Sequence, residues 1–246
     1  MSRLPAGISL LSYAQNFRVQ SGIQNFVCNA NCSARTSMLR VGLTGGIASG
    51  KSSVGAMFVA LGAHLIQADA VAHALMMPGR PVYDEVVRRF GSEILNGDGS
   101  IDRPKLAEAA FGKRGGAAPR VQELNEIVHP AVIAEENAWM EEIGRREPDA
   151  IAIVEAALIL ESGARERFDW LIVVTCRPDQ RVERFAVRLG ISEEAARGEV
   201  KRRMAAQIPD DEKIKAADFV IDNSGSLDAT AERVKEIFGA LRRDAT

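Results

Sequence analysis

From residue 39 onward, short apolar runs of strand length alternate with stretches whose apolar residues recur every three or four positions. Leu39-Arg40-Val41-Gly42-Leu43-Thr44 predicts a first strand, and Ser52 to Leu61, apolar at Val54, Met57, Phe58 and Leu61, predicts a helix after it. His64-Leu65-Ile66-Gln67 predicts a second strand that ends at Asp69, and Val71 to Met77 a helix stopped by Pro78-Gly79. Ala150 to Val154 and Trp170 to Val174 are apolar at successive positions, as strands covered on both faces are, and Phe219-Val220-Ile221 is a last, shorter run. Strands separated by helices predict an α/β fold with a parallel sheet and right-handed crossovers.

Two stretches are too long for plain crossovers. From about 78 to 147 the pattern is mostly helical, with a turn at Gly97-Asp98-Gly99 and helical spacing of Leu124, Ile127, Val128, Val132 and Ile133, which predicts a helical insertion over the carboxyl edge of the sheet. His129-Pro130 is expected to interrupt one of its helices. The second stretch, about 178 to 215, is helical and polar, with arginines at 181, 184, 188, 197, 202 and 203. Residues 1–37 have no sustained period and no Asp, Glu or Lys; they read as an extension outside the fold, either a transit peptide or sequence added ahead of Met38.

Composition narrows the class without naming it. The 246 residues are 46% hydrophobic and 26% charged with a net charge of -2, and without the three arginines of the extension 28 Lys and Arg face 33 Asp and Glu. A globular enzyme-like chain follows, with no basic excess to favour nucleic acid and no apolar run long enough for a membrane helix. Cys28, Cys32 and Cys176 make neither a disulfide framework nor a zinc site, so a reducing, cytoplasmic setting is expected.

The chemistry is concentrated in "VGLTGGIASGKSS", Val41 to Ser53, where Gly45 to Ser52 has the spacing G-x-x-x-x-G-K-[ST]. Glycines there let backbone N–H groups turn toward an anion at the positive end of the next helix, so Gly46, Ile47, Ala48, Ser49, Gly50, Lys51, Ser52 and Ser53 are expected to hold nucleotide phosphates. Lys51 is expected on the β- and γ-phosphates and the Ser52 hydroxyl on Mg²⁺, with ATP as the natural co-substrate. The glycines do not spell the G-x-G-x-x-G of a dinucleotide fold. Asp69, near the carboxyl end of the second strand, either orients an acceptor hydroxyl and takes its proton or caps the next helix. Glu155 is a water-mediated Mg²⁺ ligand or a solvated strand end, and His129 on its own reads as a packed or capping residue. Arg184 and Arg188, four apart, share a helix face and either meet anions or form a solvated basic face, the commoner case.

Taken together with "LGAHLIQADAVAH", "DGSIDRPKLAEAAF", "LNEIVHP", "RMAAQIPDDEK" and "ADFVIDNSG" in that order, the loop segment resembles the dephospho-coenzyme A kinase family from Met38 to about the chain's end. The resemblance implies a P-loop kinase domain over 38–246 of nucleoside-kinase type, with a five-stranded parallel core, an acceptor-binding insertion at about 78–147 and a lid at about 178–215. It implies that Asp69 is the base for the acceptor 3′-hydroxyl and that His129 stands near the acceptor. It also places Arg184 and Arg188 in the lid, with Arg188 neutralising the transferring phosphate, and Asn223 near the adenine of ATP. Two departures stand out: Gln67 occupies the place of a usual Asp, and Ala157-Leu158-Ile159-Leu160-Glu161 replaces a proline-led segment, which is expected to loosen that loop.

The expected reaction is ATP-dependent phosphorylation of dephospho-coenzyme A by a monomer or small homo-oligomer, with no nucleic-acid or membrane partner. Another small-molecule kinase on the same fold is the nearest rival, and a nucleotide-dependent switch is a more distant one, disfavoured because no Asn-Lys-x-Asp occurs.

Overall fold

The structure, a computed structural model, describes residues 38–111 and 120–245. The expected extension at 1–37, with Cys28 and Cys32, lies outside the described residues, as do 112–119 of the expected insertion and Thr246. Five strands, β1 (Leu39–Gly45), β2 (His64–Gln67), β3 (Ile151–Glu155), β4 (Trp170–Thr175) and β5 (Phe219–Asp222), form one sheet in the order β2-β3-β1-β4-β5. Every pairing is parallel, with Leu43 opposite both Glu155 and Ile172, and Gln67 opposite Glu155. Strand β1 is central, and the chain leaves it first toward one edge and later toward the other. That reversal opens a crevice at the carboxyl ends of the middle strands, where ligands bind in open α/β sheets.

Strand side chains alternate between faces, and the two faces bury different helices. Leu39, Val41, Leu43, Ile151 and Ile153 pack on α1 (Lys51–Ala60) and α9 (Leu227–Ala245) through Val54, Phe58, Val234, Ile237 and Leu241. Ala152, Val154, Leu171 and Val173 face the other way, onto Met140 and Ile143 of α5 (Val121–Arg146) and onto Ile159 and Phe168. Between β2 and β3, α2 (Ala68–Leu75), α3 (Pro81–Phe90), α4 (Arg103–Phe111) and α5 share a separate apolar centre that includes Val71, Val86, Phe90, Leu106, Leu124 and Val128. After β4 come α6 (Pro178–Leu189), α7 (Glu193–Ala205) and α8 (Asp210–Ala216), with a small core of Val182, Phe185, Ala186, Ala196 and Val200 that reaches Ile47 in the glycine loop.

Two local expectations are corrected. Helix α5 runs unbroken through His129-Pro130. A proline inside a helix removes one backbone bond and costs about 3 kcal/mol, but here its ring is exposed while Leu124, Val128 and Val132 are buried on the inner face, and that packing carries the helix across the gap. Helix α2 begins at Ala68, not Val71, so Asp69 lies in its first turn and no longer belongs to the strand end.

Candidate active site

The glycine loop joins β1 to α1 at the crevice. Ala48 adopts a left-handed φ of 53°, the one described non-glycine residue with positive φ, and Gly50 has φ 96° as it opens α1. Such alternation of backbone hand turns successive N–H groups toward one centre, making an anion-binding concavity at the positive helix end. The neighbours also require glycine: a Cβ on Gly46 would stand 2.1 Å from Arg181 Nη1, and one on Gly50 2.1 Å from Asn223 Nδ2. Within the loop, the side chain of Ile47 turns away to the α6–α7 core, and Ser49 is fully buried with no partner for its hydroxyl. Ser53 is exposed on α1.

Lys51 Nζ donates to the carbonyls of Gly45 at 2.9 Å and Gly46 at 3.2 Å. Loss of water around the ammonium lowers its pKa to about 8; the charges of Lys213 and Arg188 push the same way, and those of Glu155 and Asp69 oppose them. Glu155 is not a solvated strand end. It is 8% exposed, accepts from Ser52 Oγ at 2.7 Å and from Gln67 Nε2 at 2.9 Å. Gln67 therefore supplies a donor to Glu155 at a place where a carboxylate would repel it.

Asp69 does not cap α2 in the ordinary sense, because the residue at that position is Gln67 and it makes no side-chain cap bond. The Asp69 charge instead reaches both Lys51 and Arg188, raising the pKa of each against the effect of burial. Of the two arginines four apart on α6, Arg184 is half-buried and Arg188 is exposed. Arg184 donates to the carbonyls of Asn223 at 2.8 Å and Ser49 at 3.4 Å. The guanidinium of Arg188 lies 5.2 Å over the Phe185 ring, where desolvation and then the charge of Arg203 lower its pKa. Arg203 stacks on the same ring at 5.1 Å.

Asn223 is 4% exposed and committed to the loop: Nδ2 donates to Ser49 O at 2.9 Å, and Oδ1 accepts from Thr230 at 3.1 Å. It braces the loop backbone from behind. His129 stands apart from the loop, on a face of α5 that lines a cavity beside Ala68, and burial lowers its pKa. The segment after β3 is not loosened by its missing proline; Ala157, Leu158 and Ile159 are buried, and turn bonds such as Ala164 N to Ile159 O at 2.9 Å hold it.

Two buried cations near the loop escaped sequence reasoning. Arg181, 1% exposed, pairs with Asp210 and presses on Gly46; its one sequence signal was a cation beside Val182 and four residues before Phe185, on the apolar stripe of α6. Lys213, also 1% exposed, pairs with Glu161 at 2.8 Å, and Glu161 also accepts from the backbone of Ile208 at 3.2 Å. Among the described residues no group of three or more His, Cys, Asp or Glu could hold a metal by itself. A hard cation that keeps most of its waters and the phosphates of a nucleotide needs one or two protein oxygens, and the Ser52–Glu155 pair offers them.

A phosphate-cradling loop at the switch point of a five-stranded parallel sheet, opposed by cationic helices after β4, defines a P-loop kinase. The family model for dephospho-CoA kinase matches residues 39–229. The chain is 42% identical over 208 residues to the dephospho-CoA kinase of Aquifex aeolicus, covering 84% of this chain and all of that protein. It is 38% identical over 205 residues to that of Leifsonia xyli, covering 83% and all of it. A crystal structure from Thermus thermophilus superposes with a TM-score of 0.67 at 32% identity, over 83% of this chain and 97% of the other. Dephospho-CoA kinase from Campylobacter jejuni shares the fold with a TM-score of 0.60 at 24% identity, over 84% and 98%. The chain belongs to the dephospho-CoA kinase family, whose members catalyse the last step of coenzyme A synthesis.

Proposed function

We propose that the chain transfers the γ-phosphoryl group of ATP to the ribose 3′-hydroxyl of dephospho-CoA, giving CoA and ADP. The observation that carries this reading is the phosphate loop itself, with Lys51 Nζ on the carbonyls of Gly45 and Gly46 and Ser52 Oγ on Glu155 at the carboxyl end of the sheet. Family membership supplies the acceptor.

In this reading the loop N–H groups and Lys51 hold the β- and γ-phosphates, and Arg188 approaches the transferring group from the lid. Asp69 orients the acceptor hydroxyl and takes its proton as the new O–P bond forms and the bond from the γ-phosphorus to the ADP oxygen breaks. Phosphoryl transfer spreads charge over the moving group, so cations fixed in advance supply most of the catalysis. Ser52, with Glu155 behind it, would hold Mg²⁺, which would supply charge neutralisation at the phosphates. Helices α3, α4 and α5 form the acceptor side and α6, α7 and α8 the lid, whose closure keeps water from competing as acceptor.

The test is product analysis with ATP and Mg²⁺ in the presence and absence of dephospho-CoA, repeated with Lys51→Ala. CoA formed one for one with ADP is expected, with a fall of at least about a hundredfold in the variant, since it removes a preorganised cation from developing charge. ADP release indifferent to dephospho-CoA would sink the proposal.

A further inference from the structure

Beside Asp69 lies a cavity that the phosphate chemistry does not use. It lies next to Ala68 and Ala156, the residues adjoining Asp69 and Glu155, between one face of α5 and the segment that leads into β4. About 60 Å³ is open to the centres of water molecules, against roughly 10–15 Å³ for a single water. Val132 and Ile133 line one side and Phe168 contributes an aromatic ring, so the lining is mostly apolar. Its polar part is His129, Ser162 and a buried ion pair. Glu136, whose side chain is 3% exposed, meets Arg167 Nη2 at 2.9 Å, and Arg167 Nη2 also donates to Asn137 Oδ1 at 3.0 Å. Burial pushes the Glu136 carboxyl up in spite of that partner. Arg167 Nε is buried and has no hydrogen-bond partner.

A buried ion pair adds little to stability over apolar residues of the same size, and an unpaired buried donor is a net cost. Both become useful if something flat with polar edges enters the cavity. Resting on the acceptor reading above, we propose that this cavity seats the amino-purine base of the acceptor nucleotide, and that Glu136 and Arg167 read its edge. The base and the 3′-hydroxyl are carried by one ribose, so a hydroxyl at Asp69 puts the base within a sugar's width of Ala68. Arg167 Nε–H donates to a ring nitrogen, and a Glu136 oxygen accepts from the exocyclic amine. An oxo-purine brings a carbonyl to that oxygen, and two acceptors face each other. Recognition of this kind discriminates strongly because the wrong base leaves buried polar groups unpaired. The pantetheine arm, flexible and attached through the 5′-pyrophosphate, has neither the shape nor the attachment point.

The experiment has two arms on the full chain. In the first, NMR of the wild-type protein with ADP and dephospho-CoA is expected to show contacts from the adenine H2 and H8 protons to the Ile133 methyls and the Phe168 ring. Contacts there from pantetheine protons, or none from the base, overturn the proposal. In the second, Glu136→Gln with Arg167→Met is expected to raise the KM for dephospho-CoA about tenfold or more while the KM for ATP stays within twofold. Wild-type protein is expected to prefer dephospho-CoA over its hypoxanthine analogue at least tenfold in kcat/KM, and Glu136→Gln to narrow that gap. Unchanged acceptor KM and preference in folded variants overturn it too, and if the variants do not fold the first arm decides. The two readings fail separately: base contacts without turnover refute the reaction, whereas turnover without base contacts refutes this seat.

Discussion

Asp69 sits in the first turn of α2, where the positive helix end favours its carboxylate and its charge is directed to Lys51 and Arg188. Asp69→Asn keeps shape and volume, so ATP binding is expected to survive. Turnover of dephospho-CoA is expected to fall by roughly 10²–10⁴-fold, the usual contribution of a positioned base. Steady-state kinetics beside a thermal melt checks both; wild-type turnover would require another base. Lys51 makes a pH prediction. Its folded-state pKa of about 8 lies below the ordinary 10.5, so the ammonium is lost as pH rises through about 8. Bound phosphates raise that pKa, and kcat/KM for ATP, which reports the free enzyme, is therefore expected to decline above about pH 8 while kcat holds to higher pH. The stability sign is opposite: the burial penalty is fully present below about 8 and fades toward 10.5, because the unfolded chain then binds more protons.

At the scale of elements, α6, α8 and the glycine loop meet through Arg181. Its guanidinium is 1% exposed, pairs with the 31%-exposed Asp210, and stands where a Cβ on Gly46 would be. Asp210→Ala leaves that cation buried without its carboxylate. The loss is expected to be about 2–3 kcal/mol, below the full range for buried pairs because Asp210 is part solvated, or roughly 5–10 °C in Tm at this chain size. Replacing both partners, Arg181→Met with Asp210→Ala, is expected to recover much of that loss, and a double-mutant cycle by thermal melts measures it. Equal melting of Asp210→Ala and wild type would mean that the pair does not hold α6 and α8 to the loop.

The same scale shows what was legible. Strands such as Ile151–Glu155 could be read because burial on both faces writes a continuous apolar run, and the loop because phosphate binding needs glycines and lysine in one fixed spacing. Helix α5 through Pro130 could not, since its continuity depends on Val128 and Val132 packing against other helices. Glu155 as partner of Ser52 and Gln67, Glu161 as partner of Lys213, and Glu136 as partner of Arg167 were hidden for one reason. Each joins residues that only the completed sheet and its insertions bring together.

Across the whole molecule, the described residues form separate apolar centres: two on the faces of the sheet, one among α2 to α5, and a small one in α6 and α7 that reaches the loop through Ile47. A nucleotide on the loop is expected to tie the sheet to the last of these, and an acceptor at Asp69 to tie the sheet to the third. ADP at a hundred times its Kd contributes about 2.7 kcal/mol by mass action, which at roughly 2–4 °C per kcal/mol predicts a rise of about 5–11 °C in Tm. Dephospho-CoA alone should give a comparable rise at the same multiple of its own Kd. Together they are expected to exceed the sum of the two shifts, because in the proposed reading Asp69 of α2 and Arg188 of α6 serve one transferring group, so ordering one side lowers the cost of ordering the other. A matrix of thermal scans at fixed multiples of each ligand's Kd measures this directly. Strictly additive shifts would mean that lid and acceptor region move independently, and closure over the transferring phosphate would then have to come from one ligand alone.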